Sequence, residues 1–174
     1  MQHVPEISAS KIIVPGERIG KTLLGTAAAE LERLLGRPDM SDAAMGKAWL
    51  TWKGKGSKNG HATELNIYTT YKDSTMREKT VRQIRTTSSF FSTDKGAQVD
   101  SSLSFIRQSF PGLKKVGSYK GGSKTYLVYD DRDQGIAFET VANNQEICTG
   151  IIVHQKETDV LDVYLTLHPD MQRY

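Results

Sequence analysis

Side chains able to do chemistry are present in the chain, but their spacing assembles no known catalytic or metal motif. The four histidines, His3, His61, His154 and His168, stand far apart. None has a second His or Cys at the spacing of a helix or strand ligand pair, so no metal centre is predicted. Asp130, Asp131 and Asp133 ahead of Gly135 look like the start of a calcium loop. Position twelve counted from Asp130 is Val141, however, where an EF-hand requires Glu, and a tight hairpin turn is the simpler reading. Gly20-Lys21-Thr22 has the ending of a phosphate-binding loop, yet Gly16 precedes Gly20 by four residues and not the required five. The hydroxyl-rich run 86–93 (TTSSFFST) contains neither G-x-S-x-G nor S-x-x-K. Cys148 lies in an apolar run and reads as a small buried side chain; as the single cysteine it excludes an intramolecular disulfide. Acid–base chemistry would have to be assembled from distant residues such as Glu139 and His154 on neighbouring strands. No cofactor motif is found, and the expectation is a non-enzymatic protein.

The elements that position these residues are those of an ordinary globular chain. It has 174 residues, a hydrophobic fraction of 37%, and 23 Lys and Arg against 20 Asp and Glu. No apolar run approaches the ~18 residues of a membrane-spanning helix. Residues 1–10 (MQHVPEISAS) have neither a charged n-region nor an apolar h-region. Read literally, that start is cytoplasmic; the alternative is a periplasmic or extracellular domain from which an export signal has been removed. Charge is unevenly spread: residues 1–129 are net positive and 130–174 net negative. Oppositely charged solvated faces explain the split as readily as attraction of an anionic partner does.

A repeat organises the chain. Residues 23–38 (LLGTAAAELERLLGRP) and 99–111 (VDSSLSFIRQSFP) align at a spacing of about 75 residues. Leu24, Ala28, Leu31 and Leu35 then match Val99, Leu103, Ile106 and Phe110, each set forming one stripe of a helix. Thr26 and Ser101 are placed to cap the helix starts, and Gly36, Pro38 and Pro111 to stop them. Three strands follow in each unit: 49–52 (WLTW) matches 126–129 (YLVY), 65–67 (LNI) matches 136–138 (IAF), and 81–87 (VRQIRTT) matches 148–154 (CTGIIVH). Residues 11–14 and 89–92 enter the units as extended pieces, and 160–167 (VLDVYLTL) reads as a last edge strand. Short polar turns at 54–60 and 130–135 favour antiparallel meanders. The predicted fold is α+β: two tandem repeats of about 75 residues, each a short helical segment plus a meander, in one layered sheet with helices on one face. Residues 1–11 form an N-terminal extension, 12–88 the first repeat, and 89–174 the second repeat with its edge strand.

This arrangement resembles the beta-lactamase inhibitor protein fold and the related helix-plus-sheet repeats of small bacterial cell-envelope lipoproteins, over about residues 12–167. The resemblance implies a saddle-shaped sheet with helices on its convex side, and a concave side open to a protein partner. Two departures are evident. The inhibitor carries a disulfide in each repeat, whereas this chain has only Cys148. The inhibitor also presents an acidic residue on a hairpin of its first repeat, whereas here the 54–60 loop carries Lys55 and Lys58.

Strand alternation assigns faces. Leu50, Trp52, Leu65, Ile67, Ile84, Leu127, Tyr129, Ile136, Phe138 and Ile151 are the predicted core. Trp49, Thr51, Tyr68, Arg85, Tyr126, Val128, Glu139, Ile152 and His154 point the other way. Of these, Trp49, Thr51, Tyr68, Arg85, Tyr126, Glu139 and His154 form the candidate partner-binding face, whose aromatics and Arg match interface hot spots. Those aromatics equally fit cross-strand pairs that hold a sheet together. A second candidate surface is a cationic rim of Lys53, Lys55 and Lys58 with Lys114, Lys115, Lys120 and Lys124, provided both groups share one sheet edge. The expected function is a binding protein of a bacterial cell envelope that takes a protein partner on its open sheet face. The alternative is a binder of a small ligand or anionic polymer or lipid at the rim. Modest net charge and loops without interleaved aromatics argue against nucleic acid.

Overall fold

The computed structural model of the chain describes residues 10–54, 63–162 and 167–174. In chain order the strands are β1 Ile12–Val14, β2 Arg18–Ile19 and β3 Thr22–Leu23. A 3-10 turn at Ala28–Glu30 then runs into α1, Leu31–Leu35, and is followed by β4 Met40–Ala44, β5 Lys47–Lys53, β6 Glu64–Tyr71, β7 Lys79–Thr86 and β8 Ser92–Thr93. Helix α2, Leu103–Ser109, precedes β9 Lys114–Gly121, β10 Lys124–Asp131, β11 Ile136–Val141 and β12 Cys148–His154. A 3-10 turn at Val160–Asp162 and β13, Gln172–Arg173, complete the described chain.

Among the described residues nine strands form one sheet in the order β13-β9-β10-β11-β12-β7-β6-β5-β4. Two antiparallel meanders, β4 to β7 and β9 to β12, meet where β7 pairs with β12. A four-stranded sheet, β3-β2-β1-β8, is closed by a parallel pairing of Ile12 and Ile13 with Ser92 and Thr93. Gly20 and Lys21 form the turn between β2 and β3, with Gly20 at φ +55, and Thr22 opens β3, so these residues are not a phosphate loop. The aspartate cluster makes the β10–β11 hairpin, where Gly135 N–H donates to the Asp131 carbonyl at 3.0 Å.

The fold is mostly β, which corrects the α+β expectation. Helices α1 and α2 span only five and seven residues. They share the cover of the large sheet's core face with the small sheet, whose Ile13 and Ile19 are buried in the same cluster as Leu31, Leu103 and Ile106. Each meander also has four strands, one more than expected. The missed strands are β4 (MSDAA) and β9 (KKVGSYKG); the first is exposed throughout and the second is rich in Lys and Gly. Neither carries the apolar alternation that identifies a half-buried strand. The cap of α2 is Ser102, one residue beyond the expected Ser101, accepting from Phe105 N–H at 3.2 Å. The N-cap of the 3-10 turn ahead of α1 is Ala27, not Thr26, and that of α1 itself is Glu30.

The core itself follows the alternation. Ile67, Ile84, Tyr129, Ile136, Phe138 and Ile151 are buried together, and Leu50, Trp52, Leu65 and Leu127 pack against them. The opposite face of the large sheet carries a second apolar cluster of Tyr119, Val128, Ala137, Ile152 and Val160. Strands β11 and β12 are buried on both faces, which explains their nearly continuous apolar runs.

Candidate functional site

The second face of the large sheet is covered, not open. After His154 the chain turns back across it, and residues 159–162 and 167–171 lie over the strands before β13 pairs with β9 at Gln172↔Ser118 and Arg173↔Gly117. The expected edge strand at 160–167 is therefore corrected: Val160–Asp162 is a 3-10 turn, 163–166 fall outside the described residues, and the pairing edge is Gln172–Arg173. Specific bonds hold this segment down. Gln83 Nε2 donates to the Val160 carbonyl at 3.0 Å, and Val160 N–H donates to Asp130 Oδ2 at 3.1 Å. Asp130 Oδ1 lies 2.7 Å from His154 Nε2, whose Nδ1 faces the Gln155 carbonyl at 2.9 Å. Gly117 permits the close approach: a Cβ there would stand 2.9 Å from the Gln172 carbonyl oxygen and 3.0 Å from Leu161 Cδ1.

Between sheet and segment lies a cavity of about 210 Å³. Its apolar walls include Trp49, Val128 and Ile152 from the sheet and Val160, Leu161 and Met171 from the segment. Its polar floor is the pair Arg85–Glu139. Arg85 Nε donates to Glu139 Oε2 at 2.5 Å and Nη2 to Oε1 at 3.3 Å, a side-on pair, while Nη1 donates to Asn66 Oδ1 at 2.7 Å. The Tyr119 hydroxyl also donates to Glu139 Oε1. Gly150 sits opposite Glu139 in the ladder, and a Cβ there would come within 2.9 Å of Glu139 Oε2. The missing side chain makes room for the ion pair across β11, β12 and β7.

The electrostatics follow from this burial. Burial opposes the Glu139 charge, but Arg85 and the hydrogen bonds from Arg85 and Tyr119 outweigh it and hold the carboxyl below its ordinary range. For Arg85 burial likewise works against the charge, and Glu139 outweighs it, keeping the guanidinium firmly protonated. Burial, reinforced by Glu139, pushes the Tyr119 hydroxyl up, so it remains a donor. The His168 ring stacks on Tyr119 with centroids 3.6 Å apart and planes 11° apart, and Tyr119 stacks in turn on Tyr126 at 5.0 Å. Burial lowers the His168 pKa below its ordinary 6.5 against the pull of Glu139.

The predicted face residues thus share a face but not its exposure. Trp49 and Tyr68, in ring contact at 5.3 Å, are each 5% exposed. Thr51, Arg85, Glu139 and His154 are also buried, and Tyr126 is half-buried. Glu139 and His154 do not form an acid–base pair, because Glu139 is engaged by Arg85 and Tyr119 and His154 by Asp130. The cationic rim is likewise corrected. Strands β5 and β9 are six strand spacings apart in the sheet order, about 29 Å, so Lys53 is remote from Lys114 and Lys115. Lys120 and Lys124 lie beside the β9–β10 turn, about 20 Å along the strand from Lys114. Lys55 and Lys58 fall outside the described residues.

Sequence reading missed Asn66, Gln83, Tyr119, His168 and Met171. Asn66 is in phase with Tyr68 on β6 and Gln83 with Arg85 on β7, so both were within reach of period-two alternation. Tyr119 was hidden by the missed β9, and no local signal brings His168 or Met171 over the sheet. Among the described residues no helix is long and apolar enough to cross a membrane.

No family model and no curated protein matches the chain. Among solved structures it is similar to a DUF4309 family protein, YjgB, from Bacillus subtilis subsp. subtilis str. 168, with 11% sequence identity and a TM-score of 0.43. The match covers 81% of this chain and 88% of that one.

Proposed function

We propose that the protein is a non-enzymatic binding module whose site is the covered cavity on the second sheet face, and that its ligand is a small molecule. The carrying observation is the ~210 Å³ space itself, walled by apolar side chains around a few polar groups, the usual make-up of a ligand pocket. A dry cavity of ~150 Å³ accepts benzene, so this one has room for a ring and a substituent. The polar groups are engaged with one another: Glu139 with Arg85 and Tyr119, and Gln83 with the Val160 carbonyl. Such a floor suits recognition better than proton transfer. Binding of a protein on this face would require residues 159–162 and 167–171 to leave it. A bacterial envelope setting is proposed on the resemblance alone.

A fragment screen by ligand-observed NMR tests the proposal, with two filled variants as controls. Val128→Phe fills the cavity from the sheet, and Met171→Trp fills it from the half-buried covering segment without entering the main core. Fragments that bind the native chain and lose binding in the folded variants are the expected result. An empty screen, or fragments indifferent to both substitutions, overturns the proposal.

A further inference from the structure

The floor of the cavity is an ion pair already closed on itself. Arg85 and Glu139 contribute one opposite charge each and are both buried. An anion brought to Arg85 also meets Glu139, and a cation brought to Glu139 also meets Arg85. Either would give up its hydration among Trp49, Val128, Ile152 and Leu161 without a net countercharge to offset the loss. Arg173, the cation among the segment residues that line the cavity, has Asp162 at 3.5 Å and Asp159 at 3.8 Å.

Hydrogen-bonding capacity remains, however. A guanidinium has five N–H donors, and among the described residues Arg85 gives three of them, two to Glu139 and one to Asn66. Among the described residues Glu139 accepts twice from Arg85 and once from Tyr119, with His168 Nε2 at 3.9 Å from Oε1, which leaves about one of its four acceptor positions. The floor therefore offers N–H donors beside a carboxylate acceptor, with a net charge of zero.

We infer that the ligand is an uncharged, ring-sized molecule carrying a carboxamide or lactam, with its carbonyl accepting from Arg85 and its N–H donating to Glu139. The inference rests on the reading of the cavity as a small-molecule site and narrows it to one chemical class. The apolar walls take the ring, and the paired floor takes the adjoining acceptor and donor. Charged isosteres are disfavoured because each meets a like charge within the same pair.

Benzamide, benzoate and benzamidine have nearly the same size and differ in charge. Each is titrated into the full chain by calorimetry, with the Trp49 indole N–H and the Met171 methyl followed by NMR. Benzamide is expected to shift both resonances and to bind about tenfold or more tightly than either charged isostere. The Met171→Trp variant is expected to abolish that binding. Benzoate or benzamidine binding as tightly as benzamide overturns the inference while leaving the cavity a ligand site. Failure of all three to bind, or benzamide binding that survives Met171→Trp, also overturns it. The fragment screen then decides separately whether the small-molecule reading falls with it.

Discussion

Replacing Glu139 by Gln removes one charge and leaves the shape of the site nearly unchanged, so the fate of Arg85 can be read directly. Arg85 is 8% exposed and Glu139 1%, so solvent cannot take over from the lost partner. Two unit charges about 4 Å apart at an effective dielectric constant of about 20 attract by about 4 kcal/mol. Breaking a buried pair from one side costs about 3–5 kcal/mol, in agreement. At 2–4 °C per kcal/mol for a chain of this size, the midpoint of thermal unfolding should fall by about 8–16 °C. Arg85→Met alone should cost a similar amount, because it strands the carboxylate instead. The double variant Arg85→Met/Glu139→Leu removes both charges, and leaves the Tyr119 hydroxyl and Asn66 Oδ1 without the partners they have now. Those losses are about 1–3 kcal/mol each, so the double variant should cost about as much as one single variant, well short of the ~8 kcal/mol of two added together. Urea unfolding followed by circular dichroism gives all three values. A Glu139→Gln cost below about 1 kcal/mol, or a double variant equal to the sum of the singles, refutes the description of the floor as a tightly coupled pair.

Acid should weaken the fold in two stages. The His168 pKa lies below its ordinary 6.5, so beneath that pH the unfolded chain takes up a proton that the folded chain refuses. The Glu139 pKa lies below its ordinary 4.5, so its contribution is full above that value and is lost as pH falls through the lower folded value. Urea midpoints measured from neutral pH to about pH 2 should decline in both stages, and His168→Gln should flatten the upper one; a midpoint that rises between pH 6.5 and 4.5 contradicts the His168 assignment, and one that holds steady below pH 4.5 contradicts the Glu139 assignment. The covering segment gives a separate prediction. Asp130→Leu removes the acceptor of both His154 Nε2 and Val160 N–H, at about 1–3 kcal/mol for each stranded group. Exchange of the Val160 amide should accelerate more than that of Val153 in β12, and equal acceleration of the two would show that Asp130 does not clamp the segment in particular.

Much of the sheet was legible because alternation along a strand is a local property. Ile67, Ile84, Phe138 and Ile151 were assigned to the core, and Trp49, Arg85 and Glu139 to the other face, from the two-residue period alone. The helix stripe was legible only in part: Leu103 and Ile106 are buried on α2, whereas Val99 and Phe110 are buried but lie outside the helix. Strands β4 and β9 were not, because an exposed edge strand and a Lys/Gly-rich strand carry no such period and are defined by pairing with a neighbour. The α+β expectation erred in a related way, since apolar stripes show that helical turns exist but not what else shares the cover of the sheet.

The sequence by itself determined which side chains point together, since backbone geometry sends alternate residues to opposite faces. Only the tertiary structure decided what lies over each face. The segment after His154 returns across the sheet through contacts such as Gln83 with Val160, 77 positions apart, and Asp130 with Val160, 30 positions apart. Contacts of that range leave no mark in a local pattern, because they depend on where the folded chain brings distant backbone groups within hydrogen-bonding distance. For that reason a face that reads as open in the sequence is, in the folded protein, the floor of a cavity.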